Sequence, residues 1–166
     1  GLTNVSFQSS PAGGETALGE YTVSSLQATA GFRYAQYMPE LLGRFGVKMV
    51  VGKAGMSEEV YSDVFRRHGA VCLSTMGYGL GAIYGKAVKR VVDVFWVEEL
   101  GISEALWIME LDELGPLLVE GDAEGASYFA QANAKINERL DDLYEGLKPP
   151  VYRRLGEEQR PGRELF

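Results

Sequence analysis

The stretch Gly46-Val47-Lys48-Met49-Val50-Val51-Gly52-Lys53-Ala54-Gly55-Met56-Ser57 decides the fold. Val47, Met49, Val50 and Val51 form a short apolar run rich in β-branched residues, and glycines close it at both ends, which predicts a buried strand. A sharp turn follows through Lys53-Ala54-Gly55-Met56. Ser57 is then a good N-cap, Glu58 and Glu59 occupy the first turn, and Val60, Tyr61, Val64 and Phe65 recur as one apolar stripe. Arg66, Arg67 and His68 fill the last turn before Gly69, where cations complement the helix dipole and glycine permits the stop. Another apolar run, Ala70 to Ser74, reads as the next strand. Alternating strands and helices over Val47 to Val88, followed by clustered strands, indicate a layered α/β domain with a mixed sheet.

Toward the N-terminus, Leu2 to Phe7 and Tyr21 to Leu26 alternate as strands. Ser9-Ser10-Pro11-Ala12-Gly13-Gly14 between them is a cluster of turn formers and reads as a loop. Gln27 to Gly31 is a small-residue loop. Beyond it Tyr34, Tyr37, Met38, Leu41, Leu42 and Phe45 recur at helical spacing, with the regular helix starting near Pro39; this stripe reads as core rather than as a binding face. On the C-terminal side, Gly77-Tyr78-Gly79-Leu80-Gly81 leads into a short helix through Val88. Strands follow at Val91 to Val97, Leu106 to Leu111 and Pro116 to Glu120, and a long helix at Ser127 to Tyr144. Residues 1–145 are expected to form a single domain and 146–166, with three prolines and no sustained period, a C-terminal arm.

At 166 residues and 46% hydrophobic content, the chain is large enough for one substantial core. A net charge of -7 gives no field that attracts phosphate backbones, so nucleic acid is excluded as a partner class. No segment reaches the roughly 18 apolar residues that suggest a membrane span. With no leader pattern either, a cytoplasmic protein is expected. Cys72 is the single cysteine and sits in an apolar strand, where it reads as a buried structural thiol. One thiol cannot hold an iron-sulfur cluster, so no metal is expected in this chain.

Three loops follow predicted strands: Gln27 to Arg33, Gly52 to Ser57 and Ser74 to Gly81. Ligands in open α/β sheets gather at the carboxyl ends of strands, so these loops are placed to share a site. Arg33 and Lys53 would then present a planar guanidinium and a compact ammonium, the two groups that a dicarboxylate calls for. By position alone both read rather as solvated surface charges. The turn at Lys53 lacks the glycine spacing and Lys-Ser/Thr pair of a phosphate loop. His68 reads as a helix end rather than a catalytic base. The glycines from Gly77 to Gly85 admit two readings, close approach of a ligand or tight packing of a helix on the sheet.

The Gly46 to Met56 stretch resembles the strand-and-turn motif of tartrate dehydratase beta subunits and, somewhat less closely, the class I fumarase domain. Glu99-Leu100-Gly101-Ile102-Ser103-Glu104-Ala105-Leu106-Trp107 and Glu113-Leu114-Gly115-Pro116-Leu117-Leu118-Val119 are similar to the same family's later strands. The likeness runs from about Val5 to Asn137. It implies a swivelling β/β/α-type domain. It further implies the beta-type subunit of an iron-sulfur-dependent hydro-lyase that adds or removes water at a dicarboxylate, in a homo- or hetero-oligomer with an alpha subunit bearing the [4Fe-4S] cluster. On this resemblance Lys53 falls on an active-site lysine, Thr29 and Arg33 on substrate-binding positions, and Ser57 on the serine that often follows the lysine.

Departures from the family pattern accompany the likeness. The family's Gly-Pro-Thr-Thr reads Gln27-Ala28-Thr29-Ala30 here, Ala54 replaces the second glycine of a Gly-Lys-Gly turn, and Ala126 follows Gly125 where asparagine is usual. The family's N-terminal segment with its histidine motif has no counterpart in the sequence. These departures support a second expectation, a non-catalytic binding or assembly module on the same fold.

Overall fold

Strand β4 (Met49–Gly52) lies inside the main sheet, with Val50, Val51 and Gly52 all buried. It pairs in parallel with β1 (Val5–Phe7) on one side and with β5 (Val71–Thr75) on the other. β8 (Leu117–Gly121) runs antiparallel beside β5, giving the order β1-β4-β5-β8 and the mixed sheet that the sequence predicts. The structure is a computed structural model and describes residues 3–77 and 79–146. The chain divides into two units, Gly1–Ala130 and Gln131–Phe166. Apart from Gly146, the expected C-terminal arm lies outside the described residues.

One face of the sheet carries the main core. Val50 and Cys72 sit side by side on β4 and β5, so the strand alternation turns both toward this face. Met38 and Leu42 of helix α1 (Met38–Gly43) cover them together with Tyr61 and Phe65. Pro39 stands at the start of α1, where its missing N–H has no partner to lose. Tyr37 and Phe45, grouped with the core by spacing, are instead 55% and 63% exposed. They precede and follow the short α1, where its helical period no longer holds.

The helix expected after Ser57 forms across 58–68, and Gly69 ends it in the left-handed conformation. Its middle, Val60–Phe65, winds as a π-helix before one further α-turn, α2 (Arg66–His68). A π-turn holds an extra residue, which simple helical spacing does not anticipate. Tyr61 and Phe65 still reach the core, with ring centroids 5.4 Å apart.

The Ser9 to Gly14 loop is a strand. β2 (Ser9–Ala17) pairs antiparallel with β3 (Glu20–Ala28) as a two-stranded ribbon. Such a ribbon leaves an outer edge on each strand, so Pro11 can join it without breaking the ladder. A register shift between Ala12 and Gly13 absorbs the irregular sequence. Gly13 is required there, because a Cβ would lie 2.3 Å from the Thr22 carbonyl oxygen. A second ribbon joins β6 (Val88–Phe95) to β7 (Leu106–Leu111), and α4 (Val97–Leu100) lies between them in the chain. The last described element is α5 (Tyr128–Tyr144), whose start is capped by Ser127 Oγ accepting from the Ala130 N–H.

Helix α3 (Gly81–Lys86) packs on β3 through bare backbone. A Cβ at Gly85 would stand 2.3 Å from Ser24 O and 2.7 Å from Ser25 N, and one at Gly81 would stand 2.1 Å from Gln27 Nε2. Of the two readings of this glycine-rich segment, tight helix-on-strand packing against backbone therefore holds for Gly85, whereas Gly81 meets the side chains of Gln27 and Ser25. Replacing Gly85 by Ala forces backbone away from backbone. We expect Gly85→Ala to lower unfolding free energy by about 1–3 kcal/mol, read as a lower urea midpoint at unchanged m-value.

Candidate functional site

The exits of β3 and β4 are stitched together. Lys53 donates its N–H to Thr29 O at 2.9 Å, and Gly31 donates to Lys53 O at 2.7 Å, so Ala30 and Lys53 form a parallel bridge beyond the ends of their strands. Gln8, between β1 and β2, extends the same stitching: its N–H donates to Val51 O at 2.8 Å and its carbonyl accepts from Thr29 N at 3.0 Å. Arg33 lies in the 3-10 helix Gly31–Tyr37, and its Nη1 reaches back to Thr29 Oγ1 at 3.4 Å. Thr29, Arg33 and Lys53 are thus brought to one place. Arg33 and Lys53 are exposed and Thr29 is half-buried.

Ser57 is not joined to them in this way. It opens the helix across 58–68, and its side chain hydrogen-bonds Glu59; this bond, with a backbone bond at Glu59 itself, holds the Glu59 carboxyl below its ordinary range.

Beside the stitch lies a cavity of ≈ 190 Å³, lined by Leu26, Gln27 and Ala28 of β3, by Lys53, by Thr75 at the end of β5, and by Gly77, Gly81 and Tyr84 of the glycine-rich segment, as its ligand-approach reading requires of Gly77 and Gly81. β4 and β5 are parallel, so Lys53 and Thr75 stand at the carboxyl end of the sheet, where open α/β sheets place ligands. All three loops expected to share a site contribute to it. Tyr84 is fixed: its hydroxyl accepts from Met76 N–H and donates to Pro116 O, both at 2.9 Å.

Below the Lys53 turn the polar groups are buried. Ala54 N–H donates to Ser74 Oγ at 3.0 Å, and Gly55 N–H donates to Glu120 Oε1 at 3.0 Å. The Tyr61 hydroxyl donates to the same Glu120 oxygen at 2.5 Å and stands 3.9 Å from Cys72 Sγ. Sequence reading missed Ser74 and Glu120 as partners of this turn. The available signal was one acidic residue closing an otherwise apolar strand, Leu117-Leu118-Val119-Glu120.

Burial, helped by the adjacent Glu120, pushes the Cys72 thiol up to about 12, and burial raises the Tyr61 phenol as well. An iron-sulfur cluster needs accessible, deprotonated sulfur. Cys72 offers neither. Among the described residues no three His, Cys, Asp or Glu side chains group to hold a metal ion. His68 stacks its ring against Gly43 of α1, and its carbonyl accepts from Lys48 Nζ, so its contacts are those of a helix end. No helix among the described residues is long and apolar enough to cross a membrane.

The profile of the family described as "Fumarase C-terminus" matches residues 7–132, which include the stitch, the cavity and β8. The chain belongs to the fumarase C-terminus family. It is 34% identical over 119 residues to a Methanocaldococcus jannaschii protein named "Putative L(+)-tartrate dehydratase subunit beta", covering 72% of this chain and 60% of that one. It is 29% identical over 136 residues to "L(+)-tartrate dehydratase subunit beta" of Escherichia coli, covering 80% and 65%. A third relative, "Putative fumarate hydratase class I" of Geobacillus stearothermophilus, is 27% identical over 134 residues, 81% of this chain and 24% of that one. The chain therefore spans less than two thirds of the length of these relatives.

The Cys72 thiol ionises near 12 in the folded chain and near 9.0 when unperturbed. Below pH 9 both states keep the proton. Above it the unfolded chain sheds the proton first, so this contribution to stability falls as pH rises from 9 toward 12. Urea midpoints measured from pH 8 to 11 should fall more steeply for the wild type than for Cys72→Ala, and equal slopes would refute the assignment.

Proposed function

We propose that this chain is a beta-type subunit of a hydro-lyase of the tartrate dehydratase and class I fumarase kind, binding a hydroxy-dicarboxylate for reversible dehydration. One observation supports the reading: the stitch joins Thr29–Gly31 to Lys53, which lines a cavity, and Arg33 Nη1 reaches Thr29 Oγ1 at 3.4 Å. The Arg33 guanidinium can take a carboxylate through two parallel hydrogen bonds, and the Thr29 hydroxyl beside it can add a third. Lys53 supplies a compact positive charge from the β4 side and is the residue to which we give the catalytic role. Ser57 has a lesser part, since it opens the helix that follows the turn.

The chemistry at the reacting carbon is assigned to a partner. Relatives named as beta subunits support an alpha subunit as that partner, and we assign the [4Fe-4S] cluster to it rather than to this chain. The described residues of this chain do not fit a cluster, so their task is to bind and orient. In favourable cases, holding reactants in one orientation lowers a barrier by roughly 7–11 kcal/mol, which makes binding groups decisive for turnover. On this reading the protein works in the cytoplasm, and the isolated chain is colourless and inactive.

A second reading, a binding or assembly module without catalysis, draws on Gln27, Ala28 and Ala30, which depart from the family's substrate loop. One experiment separates the two. The chain is reconstituted with its alpha subunit and dehydration of L-tartrate is followed, with subunit association measured by size-exclusion chromatography. Arg33→Ala and Lys53→Met should each lower kcat/KM roughly 100-fold or more, equivalent to about 2.7 kcal/mol, while assembly is unchanged. Unchanged turnover with lost assembly would establish the module instead.

A further inference from the structure

Strand pairing ends just before the turn that carries Lys53, because Gly52 is the last residue of β4 in register with β5, opposite Ser74. Backbone groups beyond that point need other partners. Lys53 finds them on the β3 side, through Thr29 O and Gly31 N. The next two N–H groups turn the other way and find side chains. Ala54 donates to Ser74 Oγ of β5, and Gly55 donates to Glu120 Oε1 of β8, each at 3.0 Å. Ser74 is 4% exposed and Glu120 2%.

A carboxyl group is a costly choice for the inside of an apolar strand. It is tolerated when its oxygens are partnered, and an aliphatic residue would carry no such penalty. The partners of Glu120 are the Gly55 N–H and the Tyr61 hydroxyl, one in the turn and one in the helix that follows it. Tyr61 comes from the helix that follows the turn, so one oxygen of Glu120 ties the start of the turn's exit to that helix. From Lys53 N to Gly55 N, both faces of the turn are held: backbone on one side, Ser74 and Glu120 on the other.

We propose that Glu120 and Ser74 are positioning residues for Lys53, clamping the turn at residues 53–55 so that the lysine side chain meets a carboxylate substrate at the cavity. This rests on the substrate-binding reading given above. The clamp explains why two polar side chains are buried beneath a three-residue turn, and it acts on the substrate only through Lys53.

The test has two arms. In the isolated chain, amide hydrogen exchange at Ala54 should quicken roughly tenfold in Ser74→Ala, and at Gly55 in Glu120→Leu, with Glu120→Gln restoring much of the protection because it keeps an acceptor. In the reconstituted complex with L-tartrate, Ser74→Ala and Glu120→Leu should lower kcat/KM roughly tenfold, and Glu120→Gln less. These losses should vanish in a Lys53→Met background, since a group acting through Lys53 has nothing left to position there. Losses that add to that of Lys53→Met would mark a general structural role and overturn the proposal. Unchanged exchange at both amides would remove the clamp and leave the substrate-binding reading intact. Unchanged turnover in Lys53→Met would sink that reading and the positioning role with it. Should Glu120→Leu fail to fold, Ser74→Ala alone decides both arms.

Discussion

Two backbone hydrogen bonds, Lys53 N–H to Thr29 O and Gly31 N–H to Lys53 O, hold the structure's separate β-layers to one another where their strands end. The ribbon of β2 and β3 has no ladder with the four-stranded sheet. Its backbone joins the sheet at this bridge and at Gln8, which leaves the sheet at β1 and enters the ribbon at β2, and α3 packs on β3 besides. Buried backbone groups demand partners whatever the side chains are. The bridge therefore forms whatever side chains Gln27, Ala28 and Ala30 carry. Those residues contribute side chains to the surroundings of the bridge, while the bridge itself is peptide.

Much of the sheet could be read directly. Val50 and Val51 between glycines, the Ser57 to Gly69 helix with its charged ends, and the apolar run around Cys72 each carry several independent signals that agree. Leu106 to Leu111 is bounded by the same kind of signal: Gly101 before it, and Asp112 and Gly115 after it, frame an apolar run. β2 was not legible, because Ser9 to Gly14 has turn composition and becomes a strand only through pairing with β3. Its strand character belongs to the pair, and no local propensity records it. The π-turn at Val60–Phe65 was hidden differently, since Tyr61 and Phe65 are four apart and satisfy an α-helical pattern equally well.

The candidate site shows the same division. Arg33 and Lys53 could be singled out because each is a cation in a loop after a strand, and Thr29 entered through resemblance to a family motif. Their convergence lies in the pairing of loops some twenty residues apart, which no spacing rule expresses. Ser57 illustrates the opposite case: its place at a helix start is readable from its neighbours, and there it hydrogen-bonds Glu59. Glu120 escaped notice because an acidic residue at a strand's end ordinarily faces solvent. Only burial and the geometry of Tyr61 and Gly55 reveal it as an interior acceptor.

The contact of α3 with β3 at Gly81 and Gly85 bears on mechanics. Where side chains separate two elements, rotamer changes absorb small displacements, and each element moves with some independence. At Gly85 main chain rests against main chain at Ser24 and Ser25, so no compliant layer intervenes there. Tyr84, between those two glycines, lines the cavity that Gln27 and Lys53 also line. One wall of the cavity is thereby seated directly on the strand that ends at Ala28, next to Thr29 of the stitch.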